Sequence, residues 1–230
     1  MNDIDKMDIR IYSVAVKDDN YILKNITEIY KSFKRIVGYS FIQVREFVSM
    51  DKIPELFIYD RESTLQIMKD LSLENWVKAF SAEGKIHLLS GFFKSRRQLD
   101  ILNHEMFHCG VYQCTKNEPL IPKWFNEAIA YYISNNSRID KMLSKEIIAI
   151  PFDKLKLWLK KDLLIEKCSL AYEIIKSIGN HFCNIYQAAT VKDIVYDTWI
   201  KKDFDRAFIK HTSFTIDDFL EKWLNKLILS

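Results

Sequence analysis

Two histidines four residues apart constrain this chain more than any other feature of its sequence. They stand in the stretch LNHEMFHCG, residues 102–110, as His104 and His108, and Glu105 directly follows the first of them. On an α-helix, residues at positions i and i+4 lie one turn apart on the same face, so the two imidazoles can point at one position. The stretch therefore predicts a helix that presents two nitrogen ligands with a carboxylate beside them.

The His-Glu-x-x-His spacing on a helix is typical of zinc enzymes. In such sites the histidines bind the metal, and the glutamate accepts a proton from a water that the metal polarises. We therefore predict Zn²⁺ as the cofactor, with His104 and His108 as ligands and Glu105 as the catalytic base. The alternative is that the two histidines only pack on a half-buried helix and that no metal binds.

A third ligand is expected because a catalytic zinc usually has three protein ligands and one open position. The segment IPKWFNEAIAYYISN, residues 121–135, indicates a second helix with Pro122 near its first turn. Glu127 lies on that helix, separated from His108 by the eighteen residues 109–126, which allows a short turn and an antiparallel return. Its neighbours are mostly apolar, and an unpaired charge is costly to bury there. We predict Glu127 as the third zinc ligand.

This combined pattern resembles the gluzincin metallopeptidases, the group that includes thermolysin-like and aminopeptidase-N-like enzymes. The resemblance is closest to the compact peptidase MA-like domain, in which the glutamate helix typically reads lPxWlnEGlAxY; here it reads IPKWFNEAIAYY. Residues 170–182, LAYEIIKSIGNHF, resemble the tyrosine-bearing helix of the family. Residues 204–227 resemble its closing helical hairpin. The likeness extends from about Lys85 to the C-terminus.

The resemblance implies an α+β, zincin-like fold. It comprises a small N-terminal mixed sheet with helices, a central pair of metal-binding helices and a helical C-terminal lobe. In domain terms, residues 1–100 form the N-terminal α/β part, and residues 101–230 form the metal-binding helices and the C-terminal lobe, together one compact catalytic unit. A strand over residues 85–90 would be the edge strand to which an extended peptide adds. From the sequence alone, an interior strand is the alternative.

The function implied is that of a zinc-dependent peptidase, which hydrolyses peptide bonds through a metal-activated water. By resemblance, Tyr172 donates a hydrogen bond to the oxyanion, and Tyr131 and His181 are alternatives for that role. Asn126 matches the asparagine that the family places next to the glutamate ligand. The expected partner is a peptide or protein substrate.

Two departures from the family pattern bear on activity. Ala128 stands where the family usually has glycine after the glutamate ligand, and a methyl group there can crowd the site. No counterpart of the motif that grips a substrate's free N-terminus is present, so an aminopeptidase is not expected. The alternative function is a zincin-fold protein that binds zinc or a peptide with little or no catalytic activity.

A metzincin pattern, His-Glu-x-x-His-x-x-Gly-x-x-His, is a second interpretation of the same histidines. It would place the third ligand at Cys114, as an unusual thiolate. However, Val111 occupies the position at which that pattern needs glycine for its turn, and the third histidine is missing.

Composition indicates an enzyme-sized globular chain: 48% of its 230 residues are hydrophobic, enough for a substantial core. The net charge of +3 is too small, and its basic residues too scattered, to indicate nucleic-acid binding. Residues 153–164 are a basic exception. We interpret them as a solvated face, with a surface for acidic substrates or membranes as the alternative.

Local patterns predict the secondary structure on either side of the motif. Strands are predicted over residues 8–16, 40–48 and 55–60, and helices over residues 25–38 and 61–71. After Ile133 the pattern is helical throughout.

No segment is long and apolar enough to predict a membrane span or a signal peptide, so a cytoplasmic location is expected. An extracellular location is expected instead if a leader peptide has been removed. The four cysteines show no framework spacing, which favours reduced thiols. In an extracellular protein Cys109 and Cys114 could pair if the helix ended between them. The oligomeric state is left open.

Overall fold

The computed structural model describes residues 7–17, 20–25, 31–135, 146–160 and 169–229. Over these residues the chain is a mixed α+β protein, as predicted. It divides into two compact units, one made of Met1–Arg45 with Met50–Gln113 and the other of Glu46–Ser49 with Cys114–Ser230. No helix within the described ranges is long and apolar enough to cross a membrane.

The first unit contains a five-stranded mixed sheet with the strand order β2-β1-β3-β5-β4. The three central strands are parallel to one another, and each outer strand is antiparallel to its neighbour. The strands are β1 (Ile11–Lys17), β2 (Asn20–Asn25), β3 (Leu56–Tyr59), β4 (Ala79–Ala82) and β5 (Lys85–Leu88), and the helices of this part are α1 (Lys31–Val44), α2 (Arg61–Asp70) and α3 (Gln98–Thr115).

The alternation of side chains along the central strands gives the sheet two apolar faces. One face buries Phe57 and Tyr59 in a cluster to which α2 contributes Ile67 and Met68. Helix α2 begins next to this cluster because the Asp60 side chain accepts a hydrogen bond from the Ser63 N–H and caps the first turn. The other face carries side chains that are at most 1% exposed: Ile11, Leu56, Ile86 and Leu88.

The strand predicted over residues 85–90 is an interior strand, so its assignment as the substrate-binding edge is wrong. Strand β5 pairs with β3 on one side and with β4 on the other, which leaves β4 at the edge of the sheet. The hairpin that joins β4 to β5 turns at Glu83 and Gly84, with φ values of 50° and 71°. Two consecutive residues in the left-handed conformation are typical of a tight type I′ turn. This turn places β4 beside β5.

The strand predicted over residues 40–48 is also wrong, because helix α1 continues to Val44. The buried residues Val37, Phe41, Val44 and Val48 follow one another at spacings of three or four, which is a helical period. The aromatic and β-branched content of this segment favoured a strand, but packing of the helical face overrides that preference. The predicted helix over residues 25–38 begins too early, since Asn25 ends strand β2. Residues 26–30 lie outside the described ranges.

The second unit is helical over its described residues, as predicted. Its core contains phenylalanines from three helices, including Phe125, Phe182 and Phe208, with ring centroids 5.3 to 6.2 Å apart. Its helices are α4 (Lys123–Ile133), α5 (Phe152–Lys160), α6 (Ser169–Ile185), α7 (Ala188–Lys201), α8 (Phe204–Thr212) and α9 (Ile216–Ile228).

Residues 204–227, in which a helical hairpin is predicted, form the two helices α8 and α9. Ser213 ends α8 in the left-handed conformation, with a φ of 64°. Thr215 and Asp218 then form a capping box that starts α9. The basic stretch is helical as α5 up to Lys160, and its last residues, 161–164, lie outside the described ranges.

Candidate metal centre

Helix α3 presents the two histidines as their spacing predicts. Both imidazoles are half-buried, and their Nε2 atoms lie 3.2 Å apart, with the ring planes at 85° to each other. Two nitrogens bound to one zinc at 2.0–2.1 Å in tetrahedral geometry lie about 3.3 Å apart. The two ring nitrogens of α3 therefore already have the separation that a shared zinc ion requires.

Helix α4 positions Glu127. The helix begins directly after Pro122, whose carbonyl accepts hydrogen bonds from the Phe125 and Asn126 N–H groups at 3.0 Å. Trp124 and Phe125 are buried, whereas Glu127 is half-buried. The predicted start at Pro122 is confirmed.

The three predicted ligands come together. Over the described residues, one ligand atom each from His104, His108 and Glu127 forms a group in which all separations are within 4.8 Å. Two imidazoles and one carboxylate are the donor set of a well-known class of catalytic zinc site, in which the fourth position is open to water or substrate. These residues therefore fit a zinc ion by both their chemistry and the spacing of their nitrogens.

Glu105 lies next to His104 and is only 8% exposed. No described residue donates a hydrogen bond to its carboxylate or forms an ion pair with it. Burial raises the pKa of the Cys109 thiol, and the charge of Glu105 raises it further. Cys109 is therefore an un-ionised thiol beside the Glu105 side chain.

The predicted oxyanion donor, Tyr172, and its alternative Tyr131 are in contact with each other. Their rings meet edge to face, with centroids 6.1 Å apart and an interplanar angle of 85°. Tyr131 lies four residues after Glu127 on α4, which places both on the same face of that helix. The second unit therefore brings two phenolic side chains, rather than one, to the face of α4 that carries Glu127.

Comparison with known proteins identifies no relative: no protein-family model, no curated protein and no solved structure matches the chain. The functional interpretation therefore depends on the site itself.

His181 lies on a different part of α6 from Tyr172. Their separation of nine positions corresponds to about 13.5 Å along a helix axis. The His181 ring contacts Phe219 of α9, with centroids 5.4 Å apart. Burial, and then the charge of Lys226, lower the pKa of His181 to about 4, so the imidazole is neutral at pH 7. The structure does not group His181 with the two tyrosines.

Cys114 is not in the ligand group found among the described residues. Helix α3 continues without a break from Gln98 to Thr115, so the turn that would return Cys114 to the histidines is absent. The same continuity separates Cys114 from Cys109, and no disulfide joins them. The thiolate alternative for the third ligand is therefore not supported, whereas Glu127 is in place.

The neighbours of Glu127 in sequence have different surroundings. Asn126 is half-buried on α4, and its role next to the ligand stays a prediction. Ala128 is 1% exposed, and its backbone lies against Gly179 of α6. A Cβ atom added to Gly179 would lie 2.1 Å from the Ala128 carbonyl oxygen. The glycine needed for close approach at this point is thus on α6, and the sequence pattern of α4 alone does not reveal it.

Sequence reasoning also missed Glu173 and Lys176, which lie one turn apart on α6. The Lys176 ammonium donates to the Glu173 carboxylate at 2.8 Å and lies 5.7 Å from the centre of the Tyr131 ring. The three-residue spacing between Glu173 and Lys176 was the only available signal, and such spacing is common on exposed helices.

Proposed function

We propose that this protein is a zinc-dependent peptidase of the gluzincin type, and not an aminopeptidase. The observation that carries the proposal is the grouping of His104, His108 and Glu127, with Glu105 directly after the first histidine. The mixed sheet that precedes these helices and the helices that follow them are consistent with a zincin-like arrangement. The substrate class is a peptide or protein, because the motif set resembles peptidases.

His104, His108 and Glu127 would hold the zinc ion. When bound, zinc polarises water and the substrate carbonyl as a Lewis acid. Glu105 accepts the proton of the attacking water and delivers it to the leaving nitrogen, so one carboxylate serves as base and then as acid. Its burial and its lack of described donors leave it available for both transfers.

Tyr172 donates its hydroxyl hydrogen to the oxyanion that develops on the substrate carbonyl. A positioned donor of this kind typically contributes a hundredfold or more to turnover. Tyr131 is the alternative donor, since it is in contact with Tyr172 and shares a helix face with Glu127. Replacement of each tyrosine by phenylalanine distinguishes them.

The edge strand β4 replaces residues 85–90 as the platform for an extended substrate. Among the described strands it pairs with β5 alone, so its other edge has main-chain groups that a peptide can pair with. A peptide added at this edge would be recognised mainly through its main chain, with no strict side-chain requirement.

A zinc-binding protein with little catalytic activity is the second candidate. It is favoured by Ala128, which replaces the usual glycine directly after the ligand and is fully packed against α6. This candidate shares the metal site with the first and differs from it only in turnover.

Glu105→Gln distinguishes these functions, because glutamine keeps the shape of the side chain but cannot accept a proton. We expect about one zinc per chain in both the wild type and the variant. Hydrolysis of a protein substrate such as casein should fall by roughly a hundredfold or more in the variant. Zinc is measured by elemental analysis of protein without a metal-binding tag.

If zinc stays at background in protein given excess zinc, the metal centre is wrong. If zinc binds but the wild type cleaves none of a broad set of peptides, the second candidate holds. Cleavage by Glu105→Gln at the wild-type rate would exclude Glu105 as the base.

A further inference from the structure

Four side chains on α4 and α6 form a connected polar group, which we call the tyrosine cluster: Tyr131, Tyr172, Glu173 and Lys176. The Lys176 ammonium forms an ion pair with Glu173 at 2.8 Å and lies over the Tyr131 ring at 5.7 Å. The Tyr131 ring in turn packs edge to face against the Tyr172 ring, with centroids 6.1 Å apart. Each member therefore contacts the next.

The cluster begins one helical turn from a metal ligand. Tyr131 follows Glu127 by four residues on α4, so the two side chains project from the same face. The backbones of α4 and α6 approach closely at the residue after Glu127, where Ala128 lies against Gly179. Helices in such close contact hold the side chains between them in restricted orientations.

The ion pair between Lys176 and Glu173 is largely buried. The side chains of Lys176 and Glu173 are only 16% and 12% exposed. Sheltering two charges costs desolvation energy that their attraction only partly returns, so such a pair is weak support for a purely stabilising role. A cation held over an aromatic ring does, however, restrict where that ring can lie.

We propose that Lys176 is a positioning residue for the metal centre. Held by Glu173, its ammonium fixes the Tyr131 ring, and Tyr131 fixes Tyr172, so that the phenolic hydroxyls are directed toward the bound substrate's oxyanion. The proposal deepens the proposed function and rests on it. Lys176 acts through the tyrosines and does not itself contact the reacting atoms.

The test compares Lys176→Met, which keeps an unbranched stem without the charge, with Lys176→Arg, which restores a cation over the ring. Lys222→Met is the matched control, because Lys222 also lies over an aromatic ring, that of Phe214 at 3.5 Å, but on α9. We expect kcat to fall by roughly tenfold to a hundredfold in Lys176→Met, with zinc affinity and KM little changed. Lys176→Arg should recover most of the loss, and Lys222→Met should match the wild type.

Binding of a phosphinic peptide to the zinc-loaded proteins gives a readout that does not need turnover. Its tetrahedral anion has the shape and charge of the intermediate, so its affinity reports the oxyanion donors. We expect Lys176→Met to weaken this binding by a similar factor, with circular dichroism and urea unfolding as checks of the fold.

The outcomes separate this proposal from the proposed function. If the wild type binds zinc and the phosphinic peptide but hydrolyses nothing, peptidase activity fails, and a Lys176-dependent affinity still supports positioning. If Lys176→Met keeps wild-type kcat and phosphinic peptide affinity, or loses only stability, Lys176 is structural and the proposal is overturned. If the wild type takes up no zinc, both proposals fall.

Discussion

The third ligand is the residue on which the choice between metal-site types depends. His104 and His108 are common to the gluzincin and metzincin interpretations, whereas Glu127 and Cys114 belong to one each. In the structure Glu127 is grouped with the histidines, and Cys114 lies further along the uninterrupted helix α3.

Glu127→Ala should therefore lower zinc affinity by at least a hundredfold, because it leaves the metal with two histidines and solvent. Cys114→Ala should change the affinity by less than about threefold, since a half-buried thiol tolerates replacement by a small side chain. Competition titration against a zinc chelator measures both values, with circular dichroism to confirm folding. A weaker affinity in Cys114→Ala than in Glu127→Ala would reject the gluzincin assignment.

At the scale of elements, the contact between α4 and α6 determines where Glu127 and the two tyrosines lie. These two helices pack at Ala128 and Gly179 with no room for a further atom. We therefore expect the stability of the second unit to be coupled to the position of Glu127, the proposed third metal ligand.

Gly179→Ala tests this coupling, since the added Cβ would lie 2.1 Å from the Ala128 carbonyl oxygen and one helix must move. We expect a loss of about 1–3 kcal/mol in the free energy of unfolding, together with weaker zinc binding. Gly91→Ala is the control, because the three atoms nearest to its Cβ would all belong to the flexible end of the Lys78 side chain. Urea unfolding and chelator competition give the two readouts; wild-type values for Gly179→Ala in both would exclude the coupling.

Element boundaries show where local patterns were insufficient. The segment after Gly38 has strand-forming residues, yet Phe41 and Val44 continue the buried face of α1. Strand β4 was missed because only its pairing with β5, through the Glu83–Gly84 turn, makes those four residues a strand. Both outcomes depend on contacts with segments that a local pattern does not contain.

At the scale of the whole molecule, the half-buried His87 of the first unit and the buried His181 of the second should make the fold sensitive to mild acid. His87 accepts or donates a hydrogen bond with the Tyr59 hydroxyl at 2.9 Å and stacks on Phe80, with ring centroids 4.6 Å apart. Burial, and then the charge of Lys85, lower its pKa to about 4. Burial and Lys226 lower the pKa of His181 to about 4 as well.

A histidine whose pKa is lower in the folded state than its ordinary value of 6.5 destabilises the fold when it must take up a proton. The free energy of unfolding that depends on keeping each histidine neutral is fully present above pH 6.5. It is lost as the pH falls from 6.5 toward 4. We expect the free energy of unfolding to drop by on the order of 1 kcal/mol per histidine between pH 7 and pH 5. Urea unfolding with a chelator present avoids any contribution from metal binding.

His181→Leu should reduce this pH dependence, because leucine has no proton to gain and the His181 Nε2 atom has no hydrogen-bond partner among the described residues. A pH dependence equal to that of the wild type would contradict the assignment.

Asp197 contributes to the pH dependence of stability at a lower pH than the histidines. Hydrogen bonds from Lys210 and His211 lower the pKa of its carboxyl, so the stabilisation that this carboxylate gives the fold is lost only in more acidic solution.

The sequence by itself determined the helix that carries His104 and His108 and the apolar setting of Glu127. These follow from the period of a single helix, which backbone hydrogen bonds impose without help from distant segments. The grouping of Glu127 with the histidines was predicted from an eighteen-residue interval, and the structure brings them together.

Three features were decided only by the tertiary structure. Strand β4 lies at the sheet edge, the backbone of Ala128 packs against Gly179, and the Lys176 ammonium lies over the Tyr131 ring. Each depends on two segments far apart in the chain, and their side chains have no fixed relation until both segments are packed. Packing density then selects one arrangement from many that local propensity allows, because a single extra atom at the contact of α4 and α6 has no space.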